Sequence, residues 1–591
     1  MGSKKDGNQL RDALRTAGLM PAGKQSSSAT VGRKPTIEKP QSNVQDLPAS
    51  WSKATPVVEP KGQSVREPQN ASRSTPGPLK PNIHGAKRSV LPNAGTRPTG
   101  QQTNAPPAAP QLPPPPRLVK KGSFRPHPLL DPRGDEIRSL LTLAKVGHEK
   151  QIAKQPSDAT EFVIGLDFGT STSKAVLRDI YRELALPVRF CAGAGGIDEY
   201  LLPSALYRTG ASWSLTGGQS RIRDLKLRLL HASDDEPAEE FNDCCAYLAL
   251  VIRRCRAWLF SAHGKEYSKH QIEWRLNLGM AARSYENHRT VFRFRRLAWA
   301  AANVAAQPTV EIGHDLVDRF RLRSKIAIEK NTVTDGDEFQ PEQIDVVPEI
   351  SAQLQGFMRA ARWDWIHRPF MMLVDVGAGT VDTALFSVTL HSADSPVLNF
   401  FSNRVEQNGV INLHRARTEW LERAARSGEA EEKVLDYLAA QRVPTDRLRP
   451  IPESAGEYVP GYSIECSGPD IDRSFLKEKY RLQVAGCIQD AKIGKGVSAN
   501  DLAHLPLLLC GGGARMDYFS GVAEIINATP GWTFKVERLL MQVPAELADF
   551  GINASEFDRI SVAYGLSLVG NGNVAIGKIV RAIDVPPVPR R

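Results

Sequence analysis

The sequence predicts an α/β protein built from two related halves, preceded by a long, basic, disordered arm. Three observations predict it. A unit of buried strand, aspartate, glycine turn and second strand occurs twice, at 162–179 (FVIGLDFGTSTSKAVLRD) and 371–388 (MMLVDVGAGTVDTALFSV). A third glycine turn, in LPLLLCGGGARMDYFSGVAEII at 505–526, follows a buried strand and opens a helix. Composition then splits the chain: of 42 prolines in 591 residues, 22 lie in the first 150.

The arm comes first. Residues 1–150 hold 24 Lys and Arg against 10 Asp and Glu, a net of +14 that leaves the remainder at −3. Residues 1–155 are poor in bulky apolar side chains, so burial cannot offset the entropy of ordering them. The stretch QLPPPPRLVKKGSFRPHP at 111–128 favours polyproline II. Two pieces carry a helical face: Leu10, Ala13, Leu14 and Ala17 within 8–19, and Ile137, Leu140, Leu141 and Ala144 within 134–150. The basic charge of 1–155 can attract nucleic acid or another anionic surface, although it lacks the interleaved aromatics of a base-stacking platform. A protein partner docked through the arm is the other expectation.

Several classes are excluded. No run of 18 apolar residues occurs, so no membrane span is expected. The start, MGSKKDGNQLRDALRTAGLM, has no apolar core of signal-peptide length, which suggests a cytoplasmic protein. The seven cysteines form no CxxC pair and are expected to be buried, reduced thiols rather than zinc ligands.

The first globular half is expected over 160–368, the second over 369–572, and a short tail over 573–591. Phe162–Leu166 is apolar and continuous, as in a strand buried on both faces. Gly169 breaks it, and the chain resumes as a strand from Ser173. Met371 onward repeats the pattern around Asp375 and the Gly377-Ala378-Gly379 turn. Glycine allows a backbone to approach a phosphate closely, and successive turn N–H groups bind anions. An aspartate directly before such a turn repels bare phosphate, so Asp167 and Asp375 are expected to hold Mg²⁺ through water. Neither GxxxxGK[ST] nor a helix-opening GxGxxG is present, which argues against P-loop and Rossmann folds.

At these residues the chain resembles the actin, sugar kinase and heat-shock chaperone ATPase superfamily. IGLDFGTSTSK resembles its first phosphate loop, VDVGAGTVD its second, and LLLCGGGAR its adenosine loop. The best match is the nucleotide-binding domain of DnaK-type chaperones. The resemblance implies two lobes with RNase H-like cores and peripheral subdomains, closing on Mg-ATP. It implies that Asp167, Gly169, Thr170, Ser171 and Lys174 serve the first loop. Gly377, Ala378, Gly379 and Thr380 serve the second, with Ala378 departing from the chaperones' usual three glycines. Gly511, Gly512 and Gly513 form the adenosine loop, and Arg515 packs on adenine. Lys226, in RDLKLRLL, matches the segment with the catalytic lysine. Glu349, in IDVVPEISAQLQGFM, matches the catalytic acid, although the chaperones have Glu-Pro where this chain has Pro348-Glu349. Gly409 resembles a turn near the ribose and phosphates. FDRISVAYGLSLVG at 557–570 resembles the last hinge helix, with Ala563 and Gly565 as small packing residues.

The implied activity is hydrolysis of ATP to ADP and phosphate, used to switch a protein partner. After Gly572 too little chain follows for a client-binding domain. A nucleotide-dependent filament or scaffold is the alternative, an oligomer being compatible with it. A small-molecule kinase is less supported, as no substrate signature is visible.

Overall fold

The computed structural model describes residues 112–125, 158–232, 237–267, 269–281, 284, 287–332, 336–360, 369–392, 395–428, 430–441 and 451–568. All belong to one compact unit, Thr103–Arg591. It is a mixed α/β structure with four sheets among the described residues. The first strand, β1 (Arg117–Lys120), lies within the arm.

The first half opens with β2 (Asp158–Phe168), β3 (Thr172–Asp179) and β4 (Leu184–Pro187). A short β5 (Leu202–Pro203) adds to β3, and β6 (Leu206–Thr209), β7 (Ser212–Ser214) and β8 (Ser220–Ile222) form a small outer sheet. Helices α1 (Leu225–His231) and α2 (Ala238–Ala262) follow, then β9 (His270–Met280) and α3 (His288–Ala306). The half continues with β10 (Ile312–Gly313), α4 (His314–Lys330), β11 (Ile344–Pro348) and α5 (Glu349–Ala360). The second half runs β12 (Phe370–Val376), β13 (Val381–Ser392), β14 (Ser395–Glu406), α6 (Val410–Ser427), α7 (Glu432–Gln441) and β15 (Tyr462–Glu465). It ends with α8 (Arg481–Lys495), β16 (Leu505–Cys510), β17 (Val536–Leu539) and α9 (Ser561–Leu568).

Apart from the short β5 on the first, the two large sheets share one topology. Their strand orders are β4-β3-β2-β9-β11 and β14-β13-β12-β16-β17. In each, the first three strands in sequence form an antiparallel meander, and the fourth and fifth add parallel to the first. The central strands are buried on both faces, hence their unbroken apolar runs. Helices α5 and α9 lie between the sheets. Their Leu354, Phe357, Ala563 and Tyr564 share a core with Val176 and Ala185 of the first sheet and Leu373 and Phe386 of the second.

The arm differs from its sequence-based expectation at 112–125. There β1 pairs antiparallel with β15, Arg117 opposite Glu465 through Lys120 opposite Tyr462. Leu118 and Phe124 enter a peripheral core with Trp420 and Tyr462. Few apolar residues anchor this piece, Leu118 and Phe124 with Leu112 packed beside them, and their partners lie hundreds of positions away, so no local pattern announces it. The helices expected at 8–19 and 134–150, the rest of the arm and the tail at 573–591 lie outside the described residues. Among the described residues, no helix is long and apolar enough to cross a membrane. All seven cysteines are free; Cys466 differs from the expected burial, being exposed just beyond the end of β15.

Candidate functional site

Strand register builds the site. Pairing of β2 with β3 sets Asp167 opposite Lys174, and the Lys174 Nζ donates to Asp167 Oδ2 at 3.0 Å. Pairing of β12 with β13 sets Asp375 opposite Asp382. The equivalent positions of the two hairpins thus carry a lysine and an aspartate.

Each glycine turn is braced from behind. The Ser204 hydroxyl donates to the Gly169 carbonyl at 2.7 Å, and the Ser204 amide to the Ser171 carbonyl at 2.9 Å. In the second turn the Gly377 amide donates to the Thr380 carbonyl at 2.9 Å. The first residues of α6 hold the same turn. The Val410 amide donates to the Gly377 carbonyl (3.2 Å), the Ile411 amide to Ala378 (2.8 Å) and the Asn412 side chain to Gly379 (2.6 Å). The two turns face each other: a Cβ on Gly379 would lie 3.5 Å from Thr170 Oγ1. Gly511 has φ +86°, and a Cβ there would fall 2.2 Å from Asp375 Oδ1, so the third turn closes directly over that carboxylate.

Between the turns lies a cavity of about 570 Å³. Its walls include Asp167, Gly169, Thr170, Ser171, Lys174, Lys226, Glu349, Asp375, Gly377, Ala378, Gly379, Thr380, Gly511, Gly512, Gly513 and Arg515. Of the candidate nucleotide-site residues named from sequence, Gly409 alone is not among those lining it; the packing residues Ala563 and Gly565 lie in α9 away from the walls. Gly409 precedes α6 behind the second turn, where a Cβ would meet the Ala378 carbonyl oxygen at 2.6 Å. The close backbone crossing there accounts for its glycine.

Lys226 is buried on α1 and forms an ion pair with Glu349, the first residue of α5. Burial opposes its charge, but Glu349, Asp167 and Asp382 outweigh that and hold its pKa above the ordinary value. Burial, followed by repulsion from Asp382, Glu349 and Asp167, pushes the Asp375 carboxyl well above the usual range. Burial and Glu349 raise Asp382 to about 7, against the opposing pull of Lys226 and Thr380. Arg515 is held on the opposite wall by Asp558 (2.7 Å) and the Ser555 carbonyl (2.6 Å).

Sequence reasoning missed Asp382, Asp558, Arg559, His414 and Glu453, all of which line the cavity. Asp382 is 6% exposed, and its Oδ1 has no hydrogen-bond partner among the described residues. A signal for it was present: aligning the two internal copies sets Asp382 against Lys174. Among the described residues, no three His, Cys, Asp or Glu side chains form a direct metal-binding group. Comparison with known proteins finds no matching family model and no matching curated protein.

Proposed function

We propose that this protein is an ATP-binding and ATP-hydrolysing switch of the actin-like, DnaK-related type, its two halves acting as lobes that close on Mg-ATP. The observation that carries this reading is convergence. Three glycine turns from two sheets with the same five-strand order meet at one cavity, together with Asp167, Asp375, Glu349, Lys174 and Lys226. A duplicated meander with two added parallel strands is the RNase H-like pattern that the resemblance implies.

In this reading the first two turns hold the β- and γ-phosphates, and Lys174 and Lys226 balance their charge. Glu349 orients the attacking water, directly or through a second water, as a weak general base. The third turn and Arg515 take the adenosine. Four carboxyl groups, Asp167, Glu349, Asp375 and Asp382, crowd the two lysines; burial and that crowding raise Asp375 and Asp382, and a bound dication would favour their charged forms. With no direct three-ligand group among the described residues, Asp167 and Asp375 would hold Mg²⁺ through water. When bound, the ion neutralises phosphate charge. The arm and the peripheral parts of both lobes would report the nucleotide state to a protein partner.

The test is phosphate release from Mg-ATP by the purified full chain. Release is expected, and Asp167→Ala combined with Asp375→Ala should abolish it. Unchanged release by that double variant, or no binding of ATP or ADP at micromolar concentrations, would overturn the reading.

A further inference from the structure

Helix α6 meets the cleft at its beginning and the arm further along. Its first residues hold the carbonyls of Gly377, Ala378 and Gly379. Two turns on, the buried Arg417 donates to the carbonyls of Pro452 (2.6 Å) and Glu453 (2.7 Å), which belong to the cavity wall. Next, the Trp420 indole donates to the Pro114 carbonyl at 2.8 Å, and Arg423 to the Pro113 carbonyl at 3.3 Å. From there the arm runs as β1 along β15. Phe124 ends it, packed edge-on against Tyr437 and Tyr462 at 5.5 and 6.4 Å.

We infer that residues 112–125 are a cis-docked strap whose seating on α6 is linked to occupancy of the cleft, each favouring the other. The inference rests on the nucleotide reading of that cleft. The contact is chemically selective. Prolines lack an N–H and favour an extended chain with free carbonyls, and an indole and a guanidinium supply the matching donors. The contact is also separable. The strap adds as one strand to the edge of β15 and belongs to neither large sheet. Undoing that addition withdraws Leu118 and Phe124 from the peripheral core and leaves the cores of both large sheets intact.

The route of coupling is a single rigid element. A helix moved at its first turn by a filled phosphate loop carries Arg417, Trp420 and Arg423 with it. Packed interfaces switch between discrete arrangements rather than stretch. The sign follows from what coexists. The strap is seated while the two glycine turns face each other and Arg415 of α6 bonds Asp224 across the cleft mouth at 3.3 Å. A seated strap therefore accompanies the closed cleft, and linkage requires the converse with the same factor.

The experiment uses the full chain. Hydrogen exchange of residues 117–124 is followed with and without Mg-ADP, and nucleotide affinity is measured for wild type, Leu118→Asp and Trp420→Phe. Nucleotide should slow strap exchange about fivefold or more, and Leu118→Asp should weaken nucleotide binding by the same factor. Trp420→Phe keeps a ring but removes the donor, and should speed strap exchange and weaken nucleotide binding, each less than Leu118→Asp does; it carries the test if Leu118→Asp does not fold. Faster strap exchange in a variant with unchanged nucleotide affinity would overturn the linkage and leave the nucleotide reading intact. No nucleotide binding by wild type would overturn that reading and the linkage with it.

Discussion

Asp382 and Lys174 occupy equivalent places in the two hairpins, and this exchange of charge sets the electrostatics of the cleft. The first aspartate, Asp167, has a lysine across the ladder; the second, Asp375, has another acid. The consequence is measurable in the ligand-free protein. Burial and Glu349 raise Asp382 to about 7, so the native state keeps a proton that the unfolded chain releases near pH 4. Stability should therefore fall as pH rises from about 4 to 7, by about 1.4 kcal/mol per pH unit for one such group, and level off above. Asp375 is raised as well and acts in the same direction. Asp382→Asn removes one of the two contributions. Urea unfolding at pH 5 and pH 8 should reveal a smaller difference in the variant than in wild type. An equal difference would mean that Asp382 is ionised throughout. Lys226 presents the opposite problem, because its removal strands Glu349. Lys226→Met should cost about 3 kcal/mol or more, and adding Glu349→Gln should restore part of that loss. Simple additivity of the two losses would argue against the ion pair.

At the scale of elements, α5 and α9 hold the two sheets together, and their closest point is glycine on carbonyl. A Cβ on Gly565 would lie 1.7 Å from the Ala352 carbonyl oxygen and 2.4 Å from its carbon. Both are backbone atoms that cannot swing aside, so Gly565→Ala should destabilise by about 3 kcal/mol or more through overpacking. Gly468→Ala is the control, since a Cβ there would meet nothing within 4 Å; it should unfold at the wild-type urea concentration. An unchanged midpoint for Gly565→Ala would mean that these helices pack more loosely than the structure has them. The small-residue pattern around Ala563 and Gly565 was legible in the sequence. So were the strand–turn–strand hairpins, because buried central strands leave unbroken apolar runs and a turn must interrupt them. Glu349 at a helix start was legible through the resemblance of IDVVPEISAQLQGFM to a chaperone segment. The position of Gly409 was not, because a glycine signals close approach without saying from which side. Strand β1 was also hidden: its composition is that of a linker, and Tyr462–Glu465, Trp420 and Tyr437 supply its order from far along the chain.

For the whole molecule, the two halves are joined unequally at the two ends of their strands. Away from the glycine turns, the buried Arg178 of β3 donates to Glu546 at 2.9 and 3.2 Å, Tyr564 also bonds Glu546, and the Tyr200 hydroxyl donates to the Phe550 carbonyl at 2.7 Å. At the cleft mouth the halves meet through more solvent-accessible groups, the half-buried Arg415 and Asp224 at 3.3 Å and the exposed Gln407 and His231 at 3.3 Å. Exposed ion pairs contribute about 0.2–1 kcal/mol and weaken with salt, whereas breaking a buried charged pair costs several times more. The mouth should therefore open while the far end holds, as a hinge. Asp224 directly precedes α1 and lies two residues before Lys226, so opening there would also draw the lysine away from the second turn. If the cleft binds nucleotide as proposed, Arg415→Ala should speed nucleotide release about two- to fivefold, the range a solvent-accessible pair can supply. Single-turnover hydrolysis of bound ATP should stay at the wild-type rate, since Arg415 does not line the cavity. Raising salt should speed wild-type release toward that of the variant and change the variant little. Stopped-flow release of a fluorescent nucleotide follows the release rates, and single-turnover quench the hydrolysis. If Glu546→Gln sped release more than Arg415→Ala did, the far end would be the gate, and the assignment of hinge and mouth would be reversed.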